Sequence, residues 1–176
     1  VYGYSVTHDD QWTYLFGTGQ EYFTMHLQGG SSQTFVARVP RGRLEDAPTY
    51  WDGTGWTADA NAAAPIIDDG RSTELRLGIA EADGRYIGVA VEGDFFGDHF
   101  AVMSAPAPQG PWTRVAEFPV PTREVRAPVT YDAWPYPVPI DGHLAVMYST
   151  NSTVEKLVFS NPSVYRPVIV LTDIEW

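Results

Sequence analysis

The stretch that decides the fold is RYIGVAVE, residues Arg85–Glu92, which ends on a carboxylate. It is entered by the turn Asp83-Gly84 and followed by the acidic and aromatic tip GDFFGD, residues 93–98. A second apolar run, His99–Ser104, comes directly after the tip. Two apolar runs of strand length joined by a short Gly-containing segment predict a β-hairpin.

The same unit recurs on both sides of this hairpin. Second strands of the repeat start near Tyr14, Tyr86 and Leu144, which gives a period of roughly sixty residues. The predicted strands are 2–6, 12–17, 34–40 and 50–56, then 72–79, 85–92, 99–104 and 113–118, then 129–134, 143–149 and 165–171. Turn formers separate them, including the dipeptides Asp52-Gly53 and Asp141-Gly142.

The composition supports an all-β domain. Aromatic residues make up 14% of the 176 residues and charged residues only 19%, with 16 Gly and 14 Pro. Aromatic and turn-forming residues favour strands and tight turns over helices. The length fits one domain or part of a larger one.

Charge and cysteine content exclude several classes of function. A formal net charge of −11 argues against nucleic acid or an anionic membrane surface as a partner, since both attract basic proteins. No apolar run is long enough to span a bilayer. The absence of Cys excludes disulfides, a thiolate zinc site and a Cys nucleophile. Neutral ligands such as sugars, or cations, remain open.

Repeated four-stranded meanders with this kind of period predict β-propeller blades. Residues 1–176 are interpreted as a single propeller portion with approximate blades 1–57, 58–120 and 121–176. Closed propellers typically have about 4–8 blades. The remaining blades are therefore expected from a longer chain or a partner chain. The start at Val1 without Met agrees with a trimmed or partial chain.

Six local phrases, taken in order, resemble a large group of bacterial secreted five-bladed propellers that includes endo-D-arabinanase-like glycoside hydrolases. The phrases are 14–17, 36–40, 50–56, 63–66, 110–113 and 147–151. The resemblance covers nearly the whole chain and corresponds to the C-terminal three blades of that group. It implies a secreted bacterial protein that acts on an arabinan-type polysaccharide. One departure is Tyr136-Pro137-Val138, where the group has His-Pro-Glu after a Tyr-x-Ala matched by Tyr131-Asp132-Ala133.

Candidate site residues follow from the blade topology. First strands start, and second-to-third hairpins end, at the same face of a propeller, so these segments should gather around one mouth. Glycoside hydrolysis normally uses two carboxyl groups that flank the bond. We take Glu92 as a candidate general acid, with Asp132 or Glu74 as the base. The candidate substrate-binding residues are Tyr22, Phe23, Tyr131, Trp134, Asp94 and Asn151.

Several alternatives stay open. Each carboxylate could instead be a solvated loop residue or a partner of Arg71, Arg76 or Arg126. The whole domain could be a non-catalytic carbohydrate-binding or surface-interaction propeller. No cofactor or metal site is predicted; Asp68-Asp69-Gly70 offers a minor structural-calcium alternative. His8-Asp9-Asp10 is interpreted as turn chemistry at the opposite mouth. The tryptophans Trp51, Trp56 and Trp112 are interpreted as packing between blades.

Overall fold

The chain forms three antiparallel meander sheets. A computed structural model describes residues 2–18, 33–68, 77–82, 84–93, 96–121 and 125–175. Within these residues nearly all regular structure is strand, so the predicted all-β fold is confirmed. The longest helix described there is Glu155–Ser160, too short to cross a membrane.

The first sheet has five strands where four were expected. It consists of β1 (Tyr2–His8), β2 (Trp12–Thr18), β3 (Thr34–Pro40), β4 (Thr49–Trp51) and β5 (Trp56–Thr57), paired in that order. Asp52 is the reason for the extra strand. Its Oδ1 accepts hydrogen bonds from the amides of Thr54 and Gly55 at 2.8 and 2.7 Å. The tight turn folds the expected fourth strand into a small hairpin, which a 3-10 helix, Ala60–Ala62, follows.

The middle sheet contains the opening hairpin. Its strands are β6 (Gly78–Ala82), β7 (Arg85–Glu92), β8 (His99–Ala105) and β9 (Thr113–Pro119), again in chain order. The β7–β8 register runs from Tyr86 opposite Ala105 to Glu92 opposite His99, as the predicted hairpin requires. Residues 88–91 are buried without interruption because this sheet is covered on both faces.

The third sheet has three strands in the part of the chain that is described. They are β10 (Pro128–Pro135), β11 (His143–Ser152) and β12 (Arg166–Glu175). Asp141 and Gly142 both have positive φ, 53° and 81°, in the turn that leads into β11. This is the tight turn that the Asp-Gly dipeptide predicts. The helix Glu155–Ser160 lies in the β11–β12 connection.

Two apolar cores join the sheets. The first lies between sheets one and two and is built on Tyr14, Phe16, Val36, Ile67, Leu77, Ile79, Tyr86, Ala90, Met103 and Ala105. The second lies between sheets two and three and is built on Val89, Val91, Phe100, Val102, Ala133, Leu144, Val146 and Tyr148. Alternate residues of β7 supply both cores, which follows from the period of two in a strand.

The tryptophans pack, as expected, against the first core. Trp51, Trp56 and Trp112 contact it while partly buried. The Arg38 guanidinium carbon lies 3.9 Å from the ring centre of Trp12 and 4.1 Å from that of Trp56. A cation between two indole faces is attracted by both rings, so this stack stabilises the outer part of the first sheet.

The first strands of the three sheets lie next to one another. Ser5 of β1 is fully buried, and its Oγ donates to the carbonyl of Leu77 at 2.8 Å and accepts from the amide of Ile79 at 3.1 Å. Gly78 of β6 lies against the backbone of Ala133 in β10. Sheets that pack face to face with their first strands together are consistent with part of a β-propeller.

Candidate functional site

We call the end of each sheet where β1, β6 or β10 begins the first-strand end. Of the described site candidates, Glu92 and Asn151 lie at this end, Tyr131 and Asp132 lie midway along β10, and Trp134 lies near the far end of β10. Antiparallel pairing brings the second-to-third connections to this end, as shown by Tyr2 opposite Gly17 and Pro128 opposite Ser152. The opposite end, with the β1–β2, β6–β7 and β10–β11 turns, is called the turn end. The predicted residues that lie outside the described part of the chain are Glu74, Tyr22, Phe23 and Asp94.

Two predicted binding residues meet in the structure. The Tyr131 hydroxyl forms hydrogen bonds with the side chains of Asn151 and Tyr165. Asn151 pairs with Val129 in the β10–β11 register, which places its side chain diagonally across from Tyr131 on the same face. Tyr165 is 58% exposed, while Tyr131 and Asn151 are half-buried. Burial is the main cause that raises the pKa of Tyr131, and nearby Tyr165 and Asp132 add to it.

Asp132 lies beside this cluster in a β-bulge. The β10–β11 register shifts between Tyr131 and Trp134, and Asp132 has φ 54°. Aspartate is among the few residues that adopt positive φ outside glycine, and a bulge re-aims the side chains around it. Asp132 and Trp134 are both half-buried. The Asp132 carboxylate thus lies close to the two phenols of Tyr131 and Tyr165. Trp134 lies two residues further along β10, towards the turn end.

Glu92 lies at the end of β7 and forms an ion pair. Its Oε2 is 2.8 Å from Nη1 of Arg114 on the outer strand β9, and the two side chains are only 24% and 20% exposed. Arg114 also lies 3.7 Å from Glu117. The structural alternative to catalysis, a carboxylate held by arginine, is therefore realised here with Arg114 rather than the three arginines considered from the sequence.

An acidic pocket of about 430 Å³ surrounds the tip of the opening hairpin. It is lined by Glu92, Gly93, Asp98, His99 and Glu117. Asp98 Oδ1 lies 2.8 Å from His99 Nδ1. This hydrogen bond is the largest cause that raises the pKa of His99, although slight desolvation opposes it; the carboxylates of Asp98, Glu117 and Glu92 raise it further. The carboxylates around the tip therefore favour the protonated, positively charged form of the exposed His99 imidazole.

The turn-end features have the local roles that their sequence indicates. Asp9 Oδ1 accepts hydrogen bonds from the amides of Gln11 and Trp12 at 2.8 and 2.7 Å. Its Oδ2 accepts from the Tyr14 hydroxyl at 2.6 Å. Partial burial opposes the shift, but these three hydrogen bonds lower the pKa of Asp9. Turn chemistry explains Asp9 well, as predicted.

The described ranges contain no cluster of side chains that could bind a metal ion. There, no group of three or more His, Asp or Glu side chains is close enough to hold an ion. Asp68 accepts a hydrogen bond from Gln33 Nε2 at 2.8 Å, whereas residues 69 and 70 lie outside those ranges. The calcium alternative at this loop stays a prediction.

Two residues of the site were missed by sequence reasoning. Tyr165 and Arg114 reach Tyr131 and Glu92 only because the fold joins strands that are far apart in the chain. A contact of this kind leaves no local pattern. The sequence predicts a strand over 165–171, and β12 indeed begins at Arg166. Nothing in that segment indicates which side chain Tyr165 would contact.

Fold and site together define an all-β protein of repeated meander sheets with an aromatic and acidic first-strand end. The chain belongs to the family described as domain of unknown function DUF5005, whose model matches residues 1–172. A comparison with curated proteins found no match.

Proposed function

We propose that this domain binds a neutral polysaccharide at the first-strand end of its third sheet. The observation that carries the proposal is the hydrogen-bonded cluster of Tyr131, Asn151 and Tyr165 beside Asp132. Tyrosine offers an apolar ring with a polar tip. An amide and a carboxylate supply the donors and acceptors that sugar hydroxyls require.

The charge of the protein narrows the ligand. With a formal net charge of −11, the domain repels polyanions, and Asp132 adds a negative charge at the site itself. A neutral polymer is not repelled by these charges and can still form hydrogen bonds with the cluster. The resemblance to arabinanase-like propellers makes an arabinan-type polymer the first candidate. Secretion is part of the same proposal, since such polymers lie outside the cell.

Replacing Tyr165 or Asn151 by Ala is expected to weaken binding of an arabinan oligosaccharide about two- to tenfold, with Tyr165→Ala at the upper end. Each change removes a hydrogen-bonding group, a loss of about 0.5–1.5 kcal/mol, and Tyr165→Ala also removes an exposed ring. Isothermal titration calorimetry on parent and variants measures this.

Tyr136→Ala is the matched control, because Tyr136 is also an exposed tyrosine, at 44%, but follows β10 and precedes the β10–β11 turn. Its affinity should equal that of the parent. A parent protein that binds no neutral polysaccharide would contradict the proposal. So would equal losses in Tyr136→Ala and Tyr165→Ala.

Hydrolysis of the bound polymer is the second candidate function, and the position of Asp132 favours it. A non-glycine residue at φ 54° is held in a sparsely populated conformation, and such residues occur often at active sites. Asp132 also lies next to the proposed sugar-binding cluster. The ion pair with Arg114 gives Glu92 a structural role as well. Asp132 is therefore the better supported of these two carboxylates as a catalytic residue.

If the domain hydrolyses arabinan, Asp132→Asn should lower the rate of reducing-sugar release at least about a hundredfold, because a positioned general acid or base contributes roughly 10²–10⁴-fold. Glu92→Gln tests the other carboxylate in the same assay. Arabinan binding should survive in both variants. Release at the parental rate by Asp132→Asn and Glu92→Gln would rule out both residues while leaving the binding proposal intact.

A further inference from the structure

We propose that the cleft between sheets one and two at the turn end is a second ligand site, which takes the protonated amine of a small alkylamine. It lies at the opposite end of the sheets from the polysaccharide site and goes beyond the proposed function. Its volume is about 620 Å³, within the usual range for small-molecule sites of about 300–1,000 Å³.

Three turns build the cleft. The β1–β2 turn forms one side, the β6–β7 turn the second, and the Pro-rich β8–β9 turn the third. The lining residues that the argument uses are Asp9, Asp10, Arg41, Glu81, Tyr86 and Pro108. The walls come from two sheets that share a buried core, so the cleft is held by packing and not by one exposed loop.

Tyr86 is the observation that points to a ligand. Its side chain is only 7% exposed, yet it lines the cleft. Burial, and then the carboxylates of Asp9 and Glu81, raise the pKa of Tyr86, so its hydroxyl is protonated at neutral pH. Tyr14 beside it donates to Asp9, but within the described ranges Tyr86 has no hydrogen-bond partner.

The Tyr86 hydroxyl oxygen is not fully buried. Because most of the side chain is buried and Tyr86 lines the cleft, we infer that the hydroxyl faces this space. A ligand donor in the cleft can use the free lone pairs of the oxygen. The position therefore suits an N–H group more than an apolar group.

The charges select a cation. Asp9, Asp10 and Glu81 contribute three negative charges and Arg41 one positive charge, so the lining carries a formal charge of −2 with His8 neutral. Arg41 Nη1 lies 3.4 Å from Asp10 Oδ1, and both side chains are exposed. Asp9 accepts three hydrogen bonds within its turn and also lies near Arg38, so Glu81 is the carboxylate left beside Tyr86 to balance an ammonium group. The prolines of the β8–β9 turn provide an apolar wall for an alkyl stem.

The test uses n-butylammonium as the probe and the whole domain. Saturable binding is followed by calorimetry and by the amide signals of Gly84 and Gln109, which line the cleft. Tyr86→Phe removes only the hydroxyl, and Glu81→Gln removes one charge while keeping an acceptor for the Gly84 amide. Each is expected to weaken binding about fivefold or more. Glu155→Gln, an exposed carboxylate outside the cleft, is expected to bind like the parent.

Three results would overturn the proposal. The first is a non-saturable response in the parent protein. The second is an equal loss in Glu155→Gln and Glu81→Gln, which would reveal a general effect of the acidic surface. The third is equal binding of n-butanol, which lacks the charge. Thermal unfolding of each variant verifies folding, and Glu81→Gln keeps the test decisive if Tyr86→Phe does not fold. None of these outcomes depends on polysaccharide binding.

Discussion

Replacing Phe100 by Ala should lower the free energy of unfolding by about 3–5 kcal/mol, the usual range for truncating a buried Phe. Phe100 is 0% exposed in the core between sheets two and three. Its ring centre lies 4.9 Å from that of Phe118 and 5.1 Å from that of Tyr148. The change opens a cavity in the core that joins the two sheets and removes both aromatic contacts.

Urea denaturation followed by tryptophan fluorescence and circular dichroism measures the loss. Phe159→Ala is the matched control, since Phe159 is 80% exposed on the helix Glu155–Ser160. Its free energy of unfolding should change by about 0.5 kcal/mol or less, as is usual for surface substitutions. The described packing of sheet two on sheet three would be wrong if both variants lost the same free energy of unfolding. It would also be wrong if Phe100→Ala lost less than about 1 kcal/mol.

The apolar pattern predicted most of the strands. The expected first strand of the middle sheet, 72–79, shares only residues 78 and 79 with β6, and residues 72–76 lie outside the described part of the chain. Arg85–Glu92 has the apolar run and the flanking turns of a strand, and the short tip identified its partner strand. The Asp-Gly dipeptides located turns equally well. Asp141 and Gly142 both have positive φ, whereas at Asp52-Gly53 only the glycine does and the Asp52 side chain closes the turn. Local chemistry determines these features, so the sequence alone reveals them.

The split fourth strand of the first sheet shows where local reasoning was incomplete. Asp52 was recognised as a turn residue. Its side chain, however, accepts hydrogen bonds from two amides and from the Thr54 hydroxyl, which closes a hairpin within eight residues, 50–57. Turn signals mark a bend; they do not show whether the chain pairs with itself on both sides. The pairing of the two short strands comes with packing of Trp51 against Trp56, whose ring centres lie 5.6 Å apart.

The site was predicted less completely than the fold. Tyr131 and Asn151 were grouped by topology alone, and the structure joins them through a hydrogen bond. The arginine that pairs with Glu92 was not identifiable, since Arg114 comes from an outer strand two strands away. Side-chain pairs across a sheet depend on register and bulges, and a bulge in β8–β9 between Val102 and Met103 alters the register beside Arg114. One-residue shifts of this kind cannot be derived from alternation.

A methyl group at Gly78 should destabilise the protein strongly, because the first strands of sheets two and three approach at this point. An ideal Cβ at Gly78 would clash with the carbonyl oxygen of Ala133 and lie 2.7 Å from Cα of Trp134. These are backbone atoms of β10, so no side-chain rotation relieves the clash. The strands have to separate, which disturbs the bulge that carries Asp132.

Gly78→Ala is therefore expected to lower the free energy of unfolding by about 2 kcal/mol, near the upper end of the balance of two effects, because the clash is with backbone atoms. Overpacking typically costs about 1–3 kcal/mol, and the reduced entropy of the unfolded chain returns only about 0.4–1 kcal/mol. Gly55→Ala is the control, since a Cβ there meets nothing within 4 Å and its φ is not in the left-handed region. That variant should be as stable as the parent or slightly more stable.

The same pair of variants tests whether the close approach of β6 and β10 supports the proposed polysaccharide site. If it does, Gly78→Ala should weaken arabinan binding even under conditions where the variant is folded, because the strand that holds Tyr131 and Asp132 is displaced. Gly55→Ala should leave binding unchanged. If Gly78→Ala were as stable as the parent in urea, β6 and β10 would not meet as described, and the described packing of the first strands of sheets two and three would be wrong.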